Sequence, residues 1–330
     1  MRVDITLWPN RPVPELAELS RIAESCGFDA LWWPDHYSVR DVSVVMAAVA
    51  AATERIGIGT GVCSVLIRHP AVLASMFASL AELSGPRVLA GLGVGGRDVY
   101  QELGLVPKSP LRVTRESVAL IRQLLAGRAV SGDGAAHFSV NKASLRFSTT
   151  CSVPVFLAAR GLQMCRLAGE TADGLITHGL APLYLRKVQD AVAQGAGVSG
   201  RAQQDCEVAV MLGVCVDENV ERARDVLRPG CCTLAGGSYA DDLIPDYGLE
   251  TSRVLALKHA VSQGDPDAVE LIDDDMVDAF SVGGPEPLVV ERLSALSDVG
   301  VGRVILGWGG GQPTRREIEI LGRVRDGLSS

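Results

Sequence analysis

Eight short aliphatic runs recur along this chain, separated for the most part by segments of helical period, and that alternation limits the possible folds more than any single motif. The runs are Val3–Trp8, Ala30–Trp33, Ile56–Gly59, Val88–Leu92, Val153–Leu157, Gly174–Thr177, Val208–Val216 and Arg303–Gly307. Ala30–Trp33, bounded by Gly27 and Pro34, reads as a strand covered on both faces. Between the runs, Val13–Ser25 carries Leu16, Leu19, Ile22 and Ala23 on one face, and Ala71–Leu83 follows Pro70, a favoured first-turn residue. Leu111–Leu125, Gln163–Glu170, Pro182–Ala193, Pro287–Val299 and Thr314–Leu328 repeat the helical period. Strand and helix alternating eight times with right-handed crossovers predict an α/β fold, a (β/α)8 TIM barrel. A doubly wound open sheet is the other architecture this pattern allows.

Two stretches exceed a minimal barrel. Residues 129–147 contain Ser131–Gly132–Asp133–Gly134 followed by alternation through His137–Phe138–Ser139–Val140, the pattern of an inserted hairpin. Residues 219–279 are too long for one crossover helix and predict several, including Arg253–Val261 and Asp267–Phe280. The triplet Asp273–Asp274–Asp275 reads as a solvated helix face rather than a metal site. With no linker composition or repeat, the 330 residues predict one barrel domain with these two insertions.

Composition narrows the partners. A hydrophobic fraction of 47% supports a large core, and a net charge of −8 argues against nucleic acid and anionic membrane surfaces. The most apolar run, Val42–Ala52, is too short to span a bilayer, and Met1–Trp8 enters a strand pattern directly, so a soluble cytoplasmic protein is expected. Eight cysteines show no metal-ligand spacing, and the vicinal Cys231–Cys232 reads as an uncharged loop. No metal is expected.

In a barrel, one set of strand ends forms the site. Here those ends hold Thr6 and Trp8, the pair Asp35–His36, Thr60 to Ser64, Gly91 to Gly96, Ala158 to Gly161, His178, and Gly307 to Gln312. The set is rich in glycine, which lets backbone approach a flat ligand, and poor in charge. Ala159–Arg160–Gly161 precede a helix, where backbone amides and a guanidinium can hold a phosphate. A planar cofactor with a phosphorylated tail suits this set. His69 and the four tryptophans read as helix-start packing and as core or pocket wall.

Four segments carry a family resemblance: GFDALWWPDHY, GTGVCSVLIRHPAVLASMFASLAELSGPRVLAGLGVG, PVFLAARGLQMCRLAGETADGLI and DDDMVDAFSVGGPEP. In this order, and with the closing RVILG, the chain resembles the bacterial luciferase-like superfamily. Within it the match is to the coenzyme F-420-dependent branch, and the chain is most similar to the methylenetetrahydromethanopterin reductases. The resemblance implies a luciferase-like barrel, bound F-420 (8-hydroxy-5-deazaflavin), hydride transfer, and a homodimer or higher homo-oligomer. It places Asp35 beside the deazaflavin ring and His36 at the active-site histidine. It puts Gly61–Val62 at a bulge containing a non-prolyl cis peptide, with Cys63 and Ser64 continuing that wall. Val94 and Gly95, and Ala159, Arg160, Gly161, Gln163 and Met164, fall on cofactor contacts.

Three departures weaken the pterin substrate more than the cofactor. Thr6 stands where family reductases have glutamate, Cys63–Ile67 replaces a polar Thr-Asn-Pro-Tyr-Thr, and Gly96 replaces an acid. The expected reaction is hydride transfer between reduced deazaflavin and a small C=N or C=C substrate, with His36 as acid/base and Asp35 orienting it or bonding the ring system. Thr6, Trp8 and His178 are candidate substrate contacts. The alternatives are an FMN-dependent luciferase-like monooxygenase and a non-catalytic cofactor-binding relative.

Overall fold

A computed structural model describes residues 1–105, 108–132, 137–148, 151–237 and 240–329. Its strands are β1 (Arg2–Thr6), β2 (Ala30–Trp33), β3 (Gly57–Thr60), β4 (Cys63–Ser64), β5 (Val88–Gly93) and β6 (Val130–Gly132). They continue as β7 (Val140–Ala143), β8 (Val155–Ala158), β9 (Gly174–Thr177), β10 (Glu207–Val216), β11 (Ser281–Gly284) and β12 (Arg303–Trp308). β1, β2, β3, β5, β8, β9, β10 and β12 pair in parallel in that order, and β12 pairs back with β1. The sheet is therefore a closed barrel of eight parallel strands, and the open-sheet alternative falls. β10 is the longest because one of its edges serves two neighbours in turn, Glu207–Val210 pairing with β9 and Gly213–Val216 with β11, while its other edge pairs with β12.

Each predicted barrel strand exists, two with unchanged bounds and the others with ends moved by one or two residues. The fifth starts at Val155 rather than Val153, consistent with Pro154, which has no N–H to give a ladder. Two short strands were not expected: β4, which pairs with β5, and β11.

Alternation along β2 divides its two indoles, because successive strand residues face opposite sides. Trp33 packs outward among the helices, whereas Trp32 points into the barrel with Phe156, Ile176, Ala209 and Ile305. The barrel interior also holds an ion pair. The Trp32 indole N–H donates to Asp4 Oδ2 at 2.6 Å, Arg303 donates to the same oxygen, and Arg303 Nε reaches Glu207 at 3.0 Å. Asp4 is wholly buried, and among the described residues its Oδ1 has no hydrogen-bond partner. Burial pushes its carboxyl up to about 6, against the pull of Arg303.

Close backbone approach explains one glycine. A Cβ on Gly91 would lie 1.8 Å from the Thr60 carbonyl oxygen, a backbone atom that cannot swing away. Gly91→Ala is expected to cost about 1–3 kcal/mol or more, read as a lowered urea midpoint. An unchanged midpoint would show that β3 and β5 can separate freely.

Outside the barrel, β6 and β7 pair antiparallel, while their connecting residues 133–136, including Asp133–Gly134, lie outside the described residues. The stretch after β10 forms helices Val220–Ala235, Ala240–Tyr247 and Thr251–Gln263, a 3-10 turn Pro266–Leu271 and helix Asp274–Phe280. The single helix expected over 267–280 is thus broken. Asp273 starts a new helix as its N-cap, accepting from the Met276 amide at 2.9 Å. The acidic triplet is a solvated face only in part: Asp275 is exposed, whereas Asp273 pairs with Arg253, and Asp274 with Arg224 and Arg228. Cys231–Cys232 lies inside helix Val220–Ala235, not in a loop. Among the described residues no helix is long and apolar enough to cross a membrane.

Candidate active site

The carboxyl ends of the barrel strands open into a cavity of about 1250 Å3. Thr6, Trp8, Asp35, His36, Gly61, Val62, Ser64, Val94, Gly95, Ala159, Arg160, Gly161, Gln163, Met164 and His178 all line it. Cys63 does not. It is fully buried behind the wall, where burial and the neighbouring Asp35 charge push its thiol well up. Of the apolar residues that follow it, Ile67 lines the cavity, whereas Val65 is buried away from it.

The Asp35–His36 pair is split by its partners. Arg68 grips Asp35 with two parallel hydrogen bonds, Nε to Oδ2 at 2.7 Å and Nη2 to Oδ1 at 2.9 Å. Such a fork fixes the carboxylate in place. Arg68 Nη2 also reaches Asp41 at 2.8 Å, and the two carboxylates raise the guanidinium pKa. Asp41, despite partial burial, is held down to about 2 by Ser43 and Arg68. Asp41 also caps helix Val42–Ala52 through the Ser43 amide at 2.9 Å, which frees Asp35 from capping. Asp35 therefore braces the wall through Arg68. That residue sits in the Arg68–His69–Pro70 triplet, and its pairing was not read from the sequence.

His36 is oriented by Ser38 instead. Its Nδ1 lies 2.7 Å from Ser38 Oγ and accepts the Ser38 amide at 3.3 Å. With Nδ1 accepting, the neutral ring carries its proton on Nε2. The ring stacks on Tyr37 at 5.0 Å between centroids. His69, by contrast, is a helix-start residue: its Nδ1 accepts the Ala71 amide at 3.1 Å, and its ring meets Phe138 edge-on.

The wall beside Asp35 is backbone. The Gly61–Val62 peptide is cis. A Cβ on Gly61 would meet the Trp32 Cβ at 3.2 Å, so this bulge rests directly on the barrel's inner tryptophan. Ser64 Oγ donates to the Val94 carbonyl at 2.7 Å and ties the bulge to the turn after β5. In that turn Gly95 has φ +96, a conformation that favours glycine, and a Cβ there would press on Ser64 Oγ at 3.2 Å.

Across the mouth, helix Leu162–Thr171 begins at Gly161 with no side-chain cap. The Met164 amide donates to the Gly161 carbonyl at 3.0 Å, which leaves the Leu162 and Gln163 amides without an intrahelical acceptor, and Gly161 to Met164 line the cavity, an arrangement that suits an anion. Arg160 beside it is partly committed, since Nη1 donates to the Leu234 carbonyl at 2.7 Å. The bulge on one side and this amide end on the other fit a flat ring with an anionic tail. Just after β9, His178 Nδ1 lies 2.9 Å from the Met211 carbonyl, and burial, with the Arg160 charge adding, pulls its imidazole down to about 4. Thr6 Oγ1 donates to the Trp32 carbonyl at 3.0 Å. The wall formed by Leu227, Cys231, Leu234 and Ser281 was not anticipated, because it comes from the long excursion after β10.

Residues 3–303 match the family described as luciferase-like monooxygenase. The chain is 31% identical over 325 residues to the 5,10-methylenetetrahydromethanopterin reductase of Methanolobus tindarius, covering 98% of this chain and 99% of that one. It is 34% identical over 228 residues to the F-420-dependent glucose-6-phosphate dehydrogenase of Nakamurella multipartita, covering 65% of this chain and 67% of that one. Among solved structures, the coenzyme F-420-dependent tetrahydromethanopterin reductase from Methanopyrus kandleri superposes with a TM-score of 0.88 at 27% identity, covering 98% of this chain and 97% of that one. With the match extending over nearly the whole barrel, this chain belongs to the luciferase-like monooxygenase family.

Proposed function

We propose that this chain is an F-420-dependent oxidoreductase that moves a hydride between reduced deazaflavin and a small substrate carrying a C=N or C=C bond. The observation that carries the reading is the cradle: a backbone wall at Gly61–Val62 and Val94–Gly95, facing an uncapped helix start at Gly161. Relatives named for F-420 dependence share the fold and sequence along most of the chain. When bound, the reduced deazaflavin supplies the hydride.

The protein's own part is to position, exclude water and manage one proton. The bulge resting on Trp32 supports one face of a flat ring, while the Gly161–Gln163 amides hold an anionic tail. His36 presents its Nε2–H to the cavity and can pass that proton to a substrate as Nδ1 takes one from the solvent-exposed Ser38 hydroxyl, which water reprotonates; the reverse shift takes a proton from a substrate. Asp35 keeps the wall in register through Arg68. Thr6 has no carboxyl to offer, and its hydroxyl is turned to the Trp32 carbonyl, so a pterin with many polar groups is a poor fit here. A smaller or more apolar substrate suits the cavity better.

Titration followed by absorbance tests the cofactor. F-420 is expected to bind much more tightly than FMN. Equal or tighter FMN binding would replace the deazaflavin reading with a flavin monooxygenase.

A further inference from the structure

His36 and His178 follow β2 and β9, which lie four strands apart in either direction around the barrel and so face each other across the cavity. The hydride chemistry needs only one of them. The other is held so that its hydrogen-bonding role is determined. His178 Nδ1 lies 2.9 Å from the Met211 carbonyl oxygen. A carbonyl oxygen only accepts, so Nδ1 carries the proton and Nε2 of the neutral ring presents a lone pair. His178 is half-buried and lines the cavity. Burial and the Arg160 charge, which hold the imidazole down to about 4, keep that lone pair unprotonated at neutral pH.

The backbone at this point is pinned as well. The Tyr247 hydroxyl donates to the His178 carbonyl at 3.2 Å. Gly179 makes room for that hydroxyl: it has φ +107, and a Cβ there would lie 1.7 Å from the Tyr247 oxygen. The Tyr247 ring is itself packed between Tyr184 and Phe280, with centroids 5.3 and 5.0 Å away. Nearby, Met211 and Leu227 make the wall apolar.

We infer that His178 Nε2 is a substrate-binding acceptor that selects molecules carrying a neutral hydroxyl or N–H on the side away from His36. This rests on reading the cavity as the substrate site, and it deepens that reading by making the substrate bifunctional: a reacting double bond near His36 and a donor at His178. A pocket built around a polar group discriminates strongly against an analogue that leaves the group unpaired.

The test uses protein labelled with nitrogen-15 at histidine, with F-420 added, and paired probes differing only in a donor. The pairs are N-methylacetamide against N,N-dimethylacetamide, and isopropanol against its methyl ether. At neutral pH the His178 signals are expected to be those of the neutral Nδ1–H tautomer. The donor probes should move the Nε2 signal, and their partners should leave it in place. His178→Phe should abolish that response while F-420 affinity holds. For a turned-over donor substrate, His178→Phe should raise KM about tenfold or more with little change in kcat, and His178→Gln should restore part of it. An Nε2–H tautomer, an imidazolium, or the same response (or none) to both members of each pair overturns the assignment. Loss of F-420 affinity in His178→Phe also overturns it, by giving the donor to the cofactor. If F-420 fails to bind wild-type protein while the donor-selective shift persists, the cofactor reading falls and the His178 assignment stands.

Discussion

Replacing Arg303 with Met is expected to destabilise the fold by about 3–5 kcal/mol at neutral pH, because it leaves a buried carboxylate without its counter-charge. Arg303 and Asp4 are 3% and 0% exposed, so water cannot take over the lost contact. Urea unfolding measures the loss directly. The double variant Asp4→Asn/Arg303→Met removes both charges and should recover much of it; a single variant within about 1 kcal/mol of wild type would refute the argument. A pH dependence accompanies the pair. Burial raises the Asp4 carboxyl from 3.8 to about 6, so the folded state holds that proton more tightly than the unfolded chain does. The contribution from this group is therefore complete below about pH 4 and declines as pH rises to about 6, by roughly 3 kcal/mol. In Arg303→Met the decline should extend to higher pH, since the remaining counter-charge pull is weaker.

His36→Ala is expected to lower turnover by ~100-fold or more while leaving cofactor affinity largely intact. The proton at Nε2 is set by the Ser38 contacts at Nδ1, and the variant removes the group while leaving the Asp35–Arg68 brace untouched. Steady-state rates and a separate F-420 titration check the two halves. A fully active variant would refute the acid/base role. A variant that loses F-420 affinity would instead make His36 a cofactor contact.

Much of this molecule was legible in the sequence because barrel strands are short, apolar and evenly interrupted. Ala30–Trp33 and Gly174–Thr177 have the same bounds in the structure as in the reading, and helix Val13–Ser25 does too. Strand ends then place nearly all the candidate residues, since in this fold the loops after the strands converge on one face. The cis peptide at Gly61–Val62 followed from resemblance rather than from any local signal.

The pairing of side chains was not legible. Asp35 and His36 are adjacent, which suggested a working pair, yet the chain turn after Pro34 gives one to Arg68 and the other to Ser38. Cys63 fell behind the wall because β4 turns its side chain inward, while the neighbouring Ser64 faces the cavity. The excursion after β10 was visible as excess length, but its residues Leu227, Leu234 and Tyr247 touch the site only through contacts far apart in sequence.

By itself, then, the sequence determined the barrel and the identity of its mouth residues, because hydrophobic period and strand spacing are local properties of the chain. Tertiary structure alone decided which charges pair, which wall each side chain faces, and that His178 is held as an acceptor, because these depend on partners such as Arg68, Met211 and Arg160 that only folding brings within hydrogen-bonding or Coulomb range.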